Sequence, residues 1–264
     1  VKIEYTGKTE SLAKHLANAW YLEEGVEPVT ALYPDLSVDE AYQVQLYKVE
    51  QLIKEGQQVT GKKIGLTSKA MQEMLGVAEP DYGHLLDQMN IVNGGTVSYK
   101  RVLQPKVEAE IAFILKRDLI GPNVTTFDVL LATDAIVPAL EIVDSRIKNW
   151  NITLADTVAD NASSGLYVLG KHSKKITEVD LKQIGMALYQ NDVLQNTGVG
   201  AAALGDPAKC VAWLANKLSA YGIALKAGEV ILSGALSAAI EAKPGDHFYA
   251  KFAGLGDVEV SFTE

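Results

Sequence analysis

The sequence predicts a mixed α+β fold. Helical periodicity dominates the first 57 or so residues, and Val/Ile/Leu/Phe-rich runs bounded by Gly, Pro, Asn and Asp dominate the remainder. The strand-like runs do not alternate regularly with helices, which disfavours a doubly wound parallel sheet. Residues 1–58 are therefore read as a helical N-terminal region, and 59–264 as a β-rich domain carrying the candidate site.

Taken in order, Thr9 to Glu24 reads as a helix because Leu12, Leu16, Ala19 and Trp20 recur at helical spacing. Ser37-Val38-Asp39-Glu40 has the form of a capping box, in which Ser and Glu reciprocally satisfy free backbone N–H groups. The helix it opens carries Ala41, Tyr42, Leu46 and Val49 on one side and ends near Gly56. Gly61 to Thr67 reads as a short strand, Ser68 as the cap of a helix stopped by Gly76, and Glu79 to Gly83 as a loop. Pro105–Leu115 and Val137–Arg146 read as strands, with a helix from about Thr126 to Thr133 between them. Thr157 to Gly165 is dense in small polar residues, and Leu166–Leu169 follows as a strand. Asn191-Asp192 is a two-residue hairpin turn. The small-residue loop from Thr197 to Gly205 lacks the Lys-Ser/Thr of a phosphate cradle, so its glycines read as sites of close packing. Asp206-Pro207 caps a helix running to Tyr221, and the tail to Phe262 is β-rich.

Composition narrows the function classes. With 264 residues, 48% hydrophobic and 22% charged, the chain is ordinary globular protein. A net charge of −9 with no basic block argues against nucleic acid and anionic membrane as partners. It leaves an anionic small substrate open, because a bound cation reverses the local sign. The single cysteine, Cys210, excludes an intrachain disulfide and a multi-cysteine metal site. The stretch from Val1 to Tyr5 has no signal-peptide core and no apolar run reaches membrane-spanning length, so a soluble cytoplasmic protein is expected.

Carboxylates mark the candidate site. Side chains alternate along a strand, so Glu108 and Glu110 point the same way, with Cα atoms roughly 6–7 Å apart. Glu141 stands alone in the second apolar run, where an ionised group is costly unless paired or bound to a cation. Three carboxylates without a basic partner in their own strands point to a hard divalent ion, Mg²⁺ or Mn²⁺. The competing reading is a solvated strand face, with Glu141 meeting an arginine. Lys63, in a Gly-bounded strand among apolar neighbours, is either an acid–base group with a perturbed pKa or a snorkelling lysine. Asp81 after Pro80 reads as a turn former. The four histidines form no ligand-spaced pair, and there is no Gly-x-Ser-x-Gly elbow.

These motifs occur together in one order: Gly61-Lys62-Lys63-Ile64-Gly65-Leu66-Thr67, Glu79-Pro80-Asp81-Tyr82-Gly83, Glu108-Ala109-Glu110, Glu141-Ile142-Val143-Asp144-Ser145-Arg146 and Asp160-Asn161-Ala162-Ser163. In this the chain resembles the hydratase and decarboxylase branch of the fumarylacetoacetate hydrolase superfamily over nearly its whole length. The resemblance implies a mixed β-roll or sandwich preceded by a helical region. It further implies Glu108, Glu110 and Glu141 as ligands of Mg²⁺ or Mn²⁺, Lys63 and Asp81 as the acid–base pair, and Ser163 and Ser233 as substrate-binding residues.

The implied substrate is a small 2-oxo or 2-hydroxy dienoic acid, and the implied reaction is hydration of 2-hydroxypenta-2,4-dienoate in aromatic meta-cleavage degradation. The alternatives within the branch are decarboxylation of 4-oxalocrotonate and hydration of a longer dicarboxylate such as 2-oxohept-4-ene-1,7-dioate. The resembling decarboxylases tend to have an apolar residue where Asp81 stands, which favours hydration. A hydrolase would need a water-activating Glu–His pair, and only His84 lies beside these motifs. The resemblance also implies a large homo-oligomer, and in some members a complex with 4-oxalocrotonate decarboxylase. A non-catalytic partner subunit is the remaining class, opposed by the complete set of motifs.

Overall fold

The computed structural model describes residues 5–264, so Val1–Glu4 of the N-terminal stretch lie outside it. The N-terminal region is helical as expected. Helix α1 (Gly7–Leu22) is capped by the Thr6 hydroxyl and buries Leu12, Ala13, Leu16 and Ala19. A single turn, α2 (Val29–Leu32), leads to α3 (Val38–Lys54). The capping box at its start is complete: the Glu40 N–H donates to Ser37 Oγ at 3.2 Å, and the Ser37 N–H donates to the Glu40 carboxylate at 2.9 Å. On the inner face of α3, buried Gln45 donates to the carbonyls of Tyr82 (3.0 Å) and Val158 (2.8 Å) and meets His84 Nδ1 at 3.1 Å. One amide thus ties the helical region to two segments that flank the candidate site.

The remaining elements follow as β1 (Val59–Gly65), α4 (Lys69–Leu75), β2 (Asp81–Leu86), β3 (Asn90–Ile91), β4 (Thr96–Ser98), β5 (Pro105–Leu115), α5 (Thr126–Ala132) and β6 (Thr133–Asp144). After these come α6 (Leu154–Ala159), β7 (Ser164–Leu169), β8 (Gly185–Gln190), β9 (Val193–Val199), α7 (Pro207–Ser219), β10 (Val230–Ala235), β11 (Ile240–Glu241), β12 (His247–Phe252) and β13 (Gly256–Thr263). An eight-stranded mixed sheet runs β2-β1-β10-β5-β6-β7-β3, with β11 added to β5, and a five-stranded sheet runs β4-β13-β12-β8-β9.

The two sheets pack face to face. Val107, Ala109, Ile111 and Phe113 of β5 share one apolar core with Phe248 and Phe262 of the smaller sheet and with Leu12 and Leu16 of α1. The opposite face of β5 carries Lys106, Glu108, Glu110, Ala112 and Ile114, as period-two alternation requires. On that side Ala112 joins a second apolar cluster with Val137, Ala139, Tyr167 and Leu232.

Two local readings change. Asp81, Tyr82 and Gly83 are strand rather than loop: β2 pairs antiparallel with β1, setting Asp81 opposite Gly65 and Gly83 opposite Lys63. Pro80 lacks a donor and stands immediately outside the ladder, where its missing N–H costs nothing. The small polar stretch from Thr157 divides between the end of α6 and a left-handed turn. The hairpin at Asn191-Asp192 has both residues at positive φ (52° and 65°), as a type I′ turn demands. At Gly200 an added Cβ would lie 1.7 Å from the Leu181 carbonyl oxygen, so close packing accounts for that glycine. No helix among the described residues is long and apolar enough to cross a membrane.

The Gln45 contacts generate a stability prediction. Gln45→Leu strands two buried carbonyl contacts, which costs roughly 1–3 kcal/mol. The urea unfolding midpoint should fall accordingly, and an unchanged midpoint would show that the amide ties nothing together.

Candidate active site

The ladder between β5 and β6 builds the first half of the site. Its antiparallel register sets Glu108 directly opposite Glu141, with Glu110 two residues further along the same face. One carboxylate oxygen from each residue lies within 4.8 Å of the others. Glu110 and Glu141 are buried, while Glu108 opens partly into a cavity. The Gly234 N–H donates to Glu110 Oε2 at 2.8 Å, yet Glu110 Oε1 and Glu141 Oε2 are buried without any hydrogen-bond partner.

Burial, then mutual repulsion, pushes these groups up: Glu108 to about 7, and Glu110 well above the carboxylate range. Burial also raises Glu141, against the opposing pull of Lys63. Three converging carboxylates with two orphaned oxygens make a site that a divalent cation would satisfy. The donor set is all oxygen, with no His or Cys, and therefore fits a hard ion.

Lys63 and Asp81 form the second half. Lys63, 3% exposed, donates to the Ala162 carbonyl at 2.9 Å and pairs with Glu141 Oε1 at 3.2 Å. Burial disfavours its ammonium, but the fields of Glu141, Asp81, Glu108 and Glu110 outweigh burial and hold its pKa above the ordinary lysine value. Asp81 is 2% exposed and its Oδ1 has no partner. Burial raises its pKa, with partial relief from Lys63. Both groups lie over Gly65: a Cβ built there would stand 2.3 Å from Asp81 Oδ1 and 3.4 Å from Lys63 Nζ. The missing side chain of Gly65 is what lets them approach each other and the cavity.

A strained turn aims Lys63. Asn161, Ala162 and Ser163 hold φ of 57°, 52° and 51°, three successive non-glycine residues in the left-handed region. Such residues cost on the order of 1–3 kcal/mol each and persist only when their surroundings hold them. Here the Asn161 amide accepts from the His84 N–H (2.8 Å) and donates to the His84 carbonyl (2.9 Å). Buried Asp160 accepts from the Arg146 backbone N–H and guanidinium, and Arg146 also donates to the Ser164 carbonyl at 2.8 Å. The turn delivers the Ala162 carbonyl to Lys63 and brings Ser163, bonded to Thr157 at 3.2 Å, to the cavity wall. Gly83 is required beneath it, since a Cβ there would meet the Asn161 carbonyl oxygen at 2.3 Å.

The cavity measures about 640 Å³ and is lined by Lys63, Asp81, Glu108, Lys106 and Ser163 among largely apolar neighbours. Glu108, Glu110, Glu141, Lys63, Asp81 and Ser163 therefore converge. Ser233 is not among the residues that line the cavity. It is fully buried, and its hydroxyl donates to the Ile111 carbonyl at 2.7 Å, across the β10–β5 pair. The neighbouring Gly234 N–H reaches the site instead. His84 is buried against Gln45, with its pKa pushed by burial down to about 3, and does not line the cavity. Cys210 is buried, with its thiol pKa raised by desolvation, which makes it inert. Sequence reasoning passed over Lys106 and Trp150. Lys106 was detectable from the alternation that found Glu108, whereas Trp150 carried no local signal.

This sandwich with its carboxylate cluster defines the class. Residues 67–263 match the fumarylacetoacetate (FAA) hydrolase C-terminal family, and the chain belongs to that family. It is 45% identical to 2-hydroxyhexa-2,4-dienoate hydratase of Comamonas testosteroni over 257 residues, 97% of each chain. It is 50% identical to 2-hydroxypent-2,4-dienoate hydratase of Pseudomonas putida over 214 residues, 81% of this chain and 96% of the other. A solved structure of 4-oxalocrotonate decarboxylase from Pseudomonas putida G7, complexed with magnesium and adipate, superposes with a TM-score of 0.94 at 35% identity. It covers 99% of this chain and 100% of that one.

Crowding of the carboxylates predicts opposite effects on stability and on metal binding. In chelator-treated protein, Glu110→Gln removes one of the crowded buried carboxyl groups and should raise the thermal midpoint. Calorimetry should show Mn²⁺ affinity reduced at least ~10-fold, the scale of a disturbed metal environment. A lowered midpoint with unchanged affinity would contradict the site.

Proposed function

We infer that this chain is a divalent-metal-dependent hydratase that converts 2-hydroxypenta-2,4-dienoate to 4-hydroxy-2-oxopentanoate. The observation that carries the reading is Asp81, buried beside Lys63 with an unpartnered oxygen at the cavity wall. The similarity of 45–50% to two dienoate hydratases supports it. Fold alone does not separate hydratase from decarboxylase, because the decarboxylase superposes almost completely.

Glu108, Glu110 and Glu141 would hold Mg²⁺ or Mn²⁺, which supplies Lewis-acid stabilisation of charge on a 2-oxo acid. Hydration then needs protons moved at defined carbons. The dienol loses its hydroxyl proton and gains one at C5, giving the 2-oxo-3-enoate. Water oxygen bonds to C4 while a proton is delivered to C3. Lys63, held as an ammonium by the Ala162 carbonyl and Glu141, is positioned to donate protons to carbon. Asp81 accepts the proton of the attacking water; its raised pKa makes it a stronger base than an exposed aspartate. Ser163 contributes a polar contact at the wall, and the apolar lining excludes competing water.

The chain works as a soluble homo-oligomer of the cytoplasm. Phe127, Leu130 and Leu131 share one face of α5 by helical spacing, and all three are exposed, Phe127 at 65%. A monomer by light scattering at micromolar concentration would contradict this.

Asp81→Asn tests the chemistry. It should keep the fold and Mn²⁺ affinity while slowing hydration by roughly 10²-fold or more, the scale of a lost acid–base group. Hydration at the parental rate, or faster CO₂ release from 4-oxalocrotonate than hydration by the parent, would overturn the reading.

A further inference from the structure

The Ser233 hydroxyl donates to the Ile111 carbonyl, so a substrate carboxylate calls for a further, cationic partner. Among the described residues lining the cavity, only Lys63 and Lys106 are cationic. Lys63 is paired with Glu141 and bonded to Ala162. Among the described residues the Lys106 ammonium makes no contact ion pair and no hydrogen bond, although its field reaches Glu108; its Nζ lies 4.3 Å from the centroid of the Trp150 ring. An ammonium without a contact ion pair on the wall of a partly apolar cavity is a ready anion site.

Its aromatic platform is rigidly built. The Trp150 indole N–H donates to the Gln104 carbonyl at 3.1 Å. The Gln104 amide in turn donates to the carbonyls of Ser145 (3.0 Å) and Ile147 (2.9 Å) and accepts from the Asn149 N–H at 2.7 Å. The ring is thus fixed to the residue that immediately precedes β5. A cation–π contact is worth about 0.5–2 kcal/mol, enough to orient the ammonium while leaving its other protons free for an acceptor.

Register shows which end of a substrate Lys106 would meet. Lys106, Glu108 and Glu110 share one face of β5, opposite Val143, Glu141 and Ala139 of β6. Lys63 pairs with Leu232, and Leu232 pairs with Ala112, beyond Glu110. The order along the sheet is therefore Lys63, carboxylate triad, Lys106. A 2-oxo acid with C4 and C5 against Lys63 and Asp81 directs its C1 carboxylate past the triad towards Lys106.

We propose that Lys106, oriented by Trp150, is the residue that binds the C1 carboxylate of the substrate. The proposal rests on the hydratase reading for the direction of the substrate. It also bears on specificity. A dicarboxylate would leave its far carboxylate without a free cation in the cavity, and an unpaired charge in such a site is strongly disfavoured. The site therefore selects monocarboxylic dienoates.

The test is calorimetric binding of pyruvate and of pyruvamide to Mg²⁺-loaded parent, Lys106→Met and Lys106→Arg, alongside steady-state kinetics. Lys106→Met should weaken pyruvate at least ~10-fold, the scale of a lost charge-assisted bond, and leave pyruvamide within about 2-fold. Lys106→Arg should restore most of the pyruvate affinity. KM for 2-hydroxypenta-2,4-dienoate should rise in parallel, with kcat within about 3-fold, because the interaction is present before and during reaction. Equal pyruvate affinity in parent and Lys106→Met, or equal losses for pyruvate and pyruvamide, would overturn the proposal. Lys106→Gln provides the same comparison should the Met variant fail to fold. A parent that binds pyruvate through Lys106 but does not hydrate the dienoate would sink the hydratase reading and leave the carboxylate site standing.

Discussion

Antiparallel pairing of β5 with β6 sets Glu108 opposite Glu141, and like charges facing across a ladder destabilise it. Glu110 adds a third carboxylate to the same buried patch. The large sheet must therefore carry a local electrostatic cost on the face where its apolar residues would otherwise continue. Ala112, Val137 and Ala139 occupy that continuation and form a compact apolar cluster. Strands of eleven and twelve residues, paired with each other from end to end, can tolerate such a patch. The remaining groups of the site are arranged around this charge: Lys63 against Glu141, the Gly234 N–H against Glu110, and Lys106 beyond Glu108.

A second cost lies in the turn at Asn161–Ser163. The residues that hold it come from distant parts of the chain: His84 on β2, Arg146 after β6 and Thr157 on α6. Gln45 on α3 links the same segments from behind, touching Tyr82, Val158 and His84. The N-terminal helices therefore contribute more than a cover. They brace β2 and α6, the segments that hold the turn behind the Lys63 ammonium. Strain and buried charge coincide at the site while the apolar core between the sheets remains regular, which is the pattern expected where function conflicts with local preference.

Much of this was legible in the sequence, for physical reasons that differ by element. The Ser37–Glu40 capping box and the Asn191-Asp192 turn are short-range chemistry, and both appear as read. Period-two alternation placed Glu108 and Glu110 on one face because strand geometry alone determines it. Bringing Glu141 to them required the β5–β6 register, which no local pattern specifies. Pro80 and Gly83 are turn formers and give Asp81 a local preference for loop; pairing with β1 overrides that preference. The Ser233 hydroxyl has its acceptor on a neighbouring strand, a partner invisible in its own segment. Lys106 lies in the same alternation as the glutamates, but its significance depends on Trp150, brought alongside only by folding.

The central claim is that the carboxylate triad, Lys63 and Asp81 together add water to a dienol. Proton NMR of metal-loaded protein turning over 2-hydroxypenta-2,4-dienoate in D₂O tests it most directly. The account predicts 4-hydroxy-2-oxopentanoate with a singly deuterated C5 methyl group, formed only with Mg²⁺ or Mn²⁺ present. Formation of that product at full rate in excess chelator, or its absence from metal-loaded protein, would contradict it.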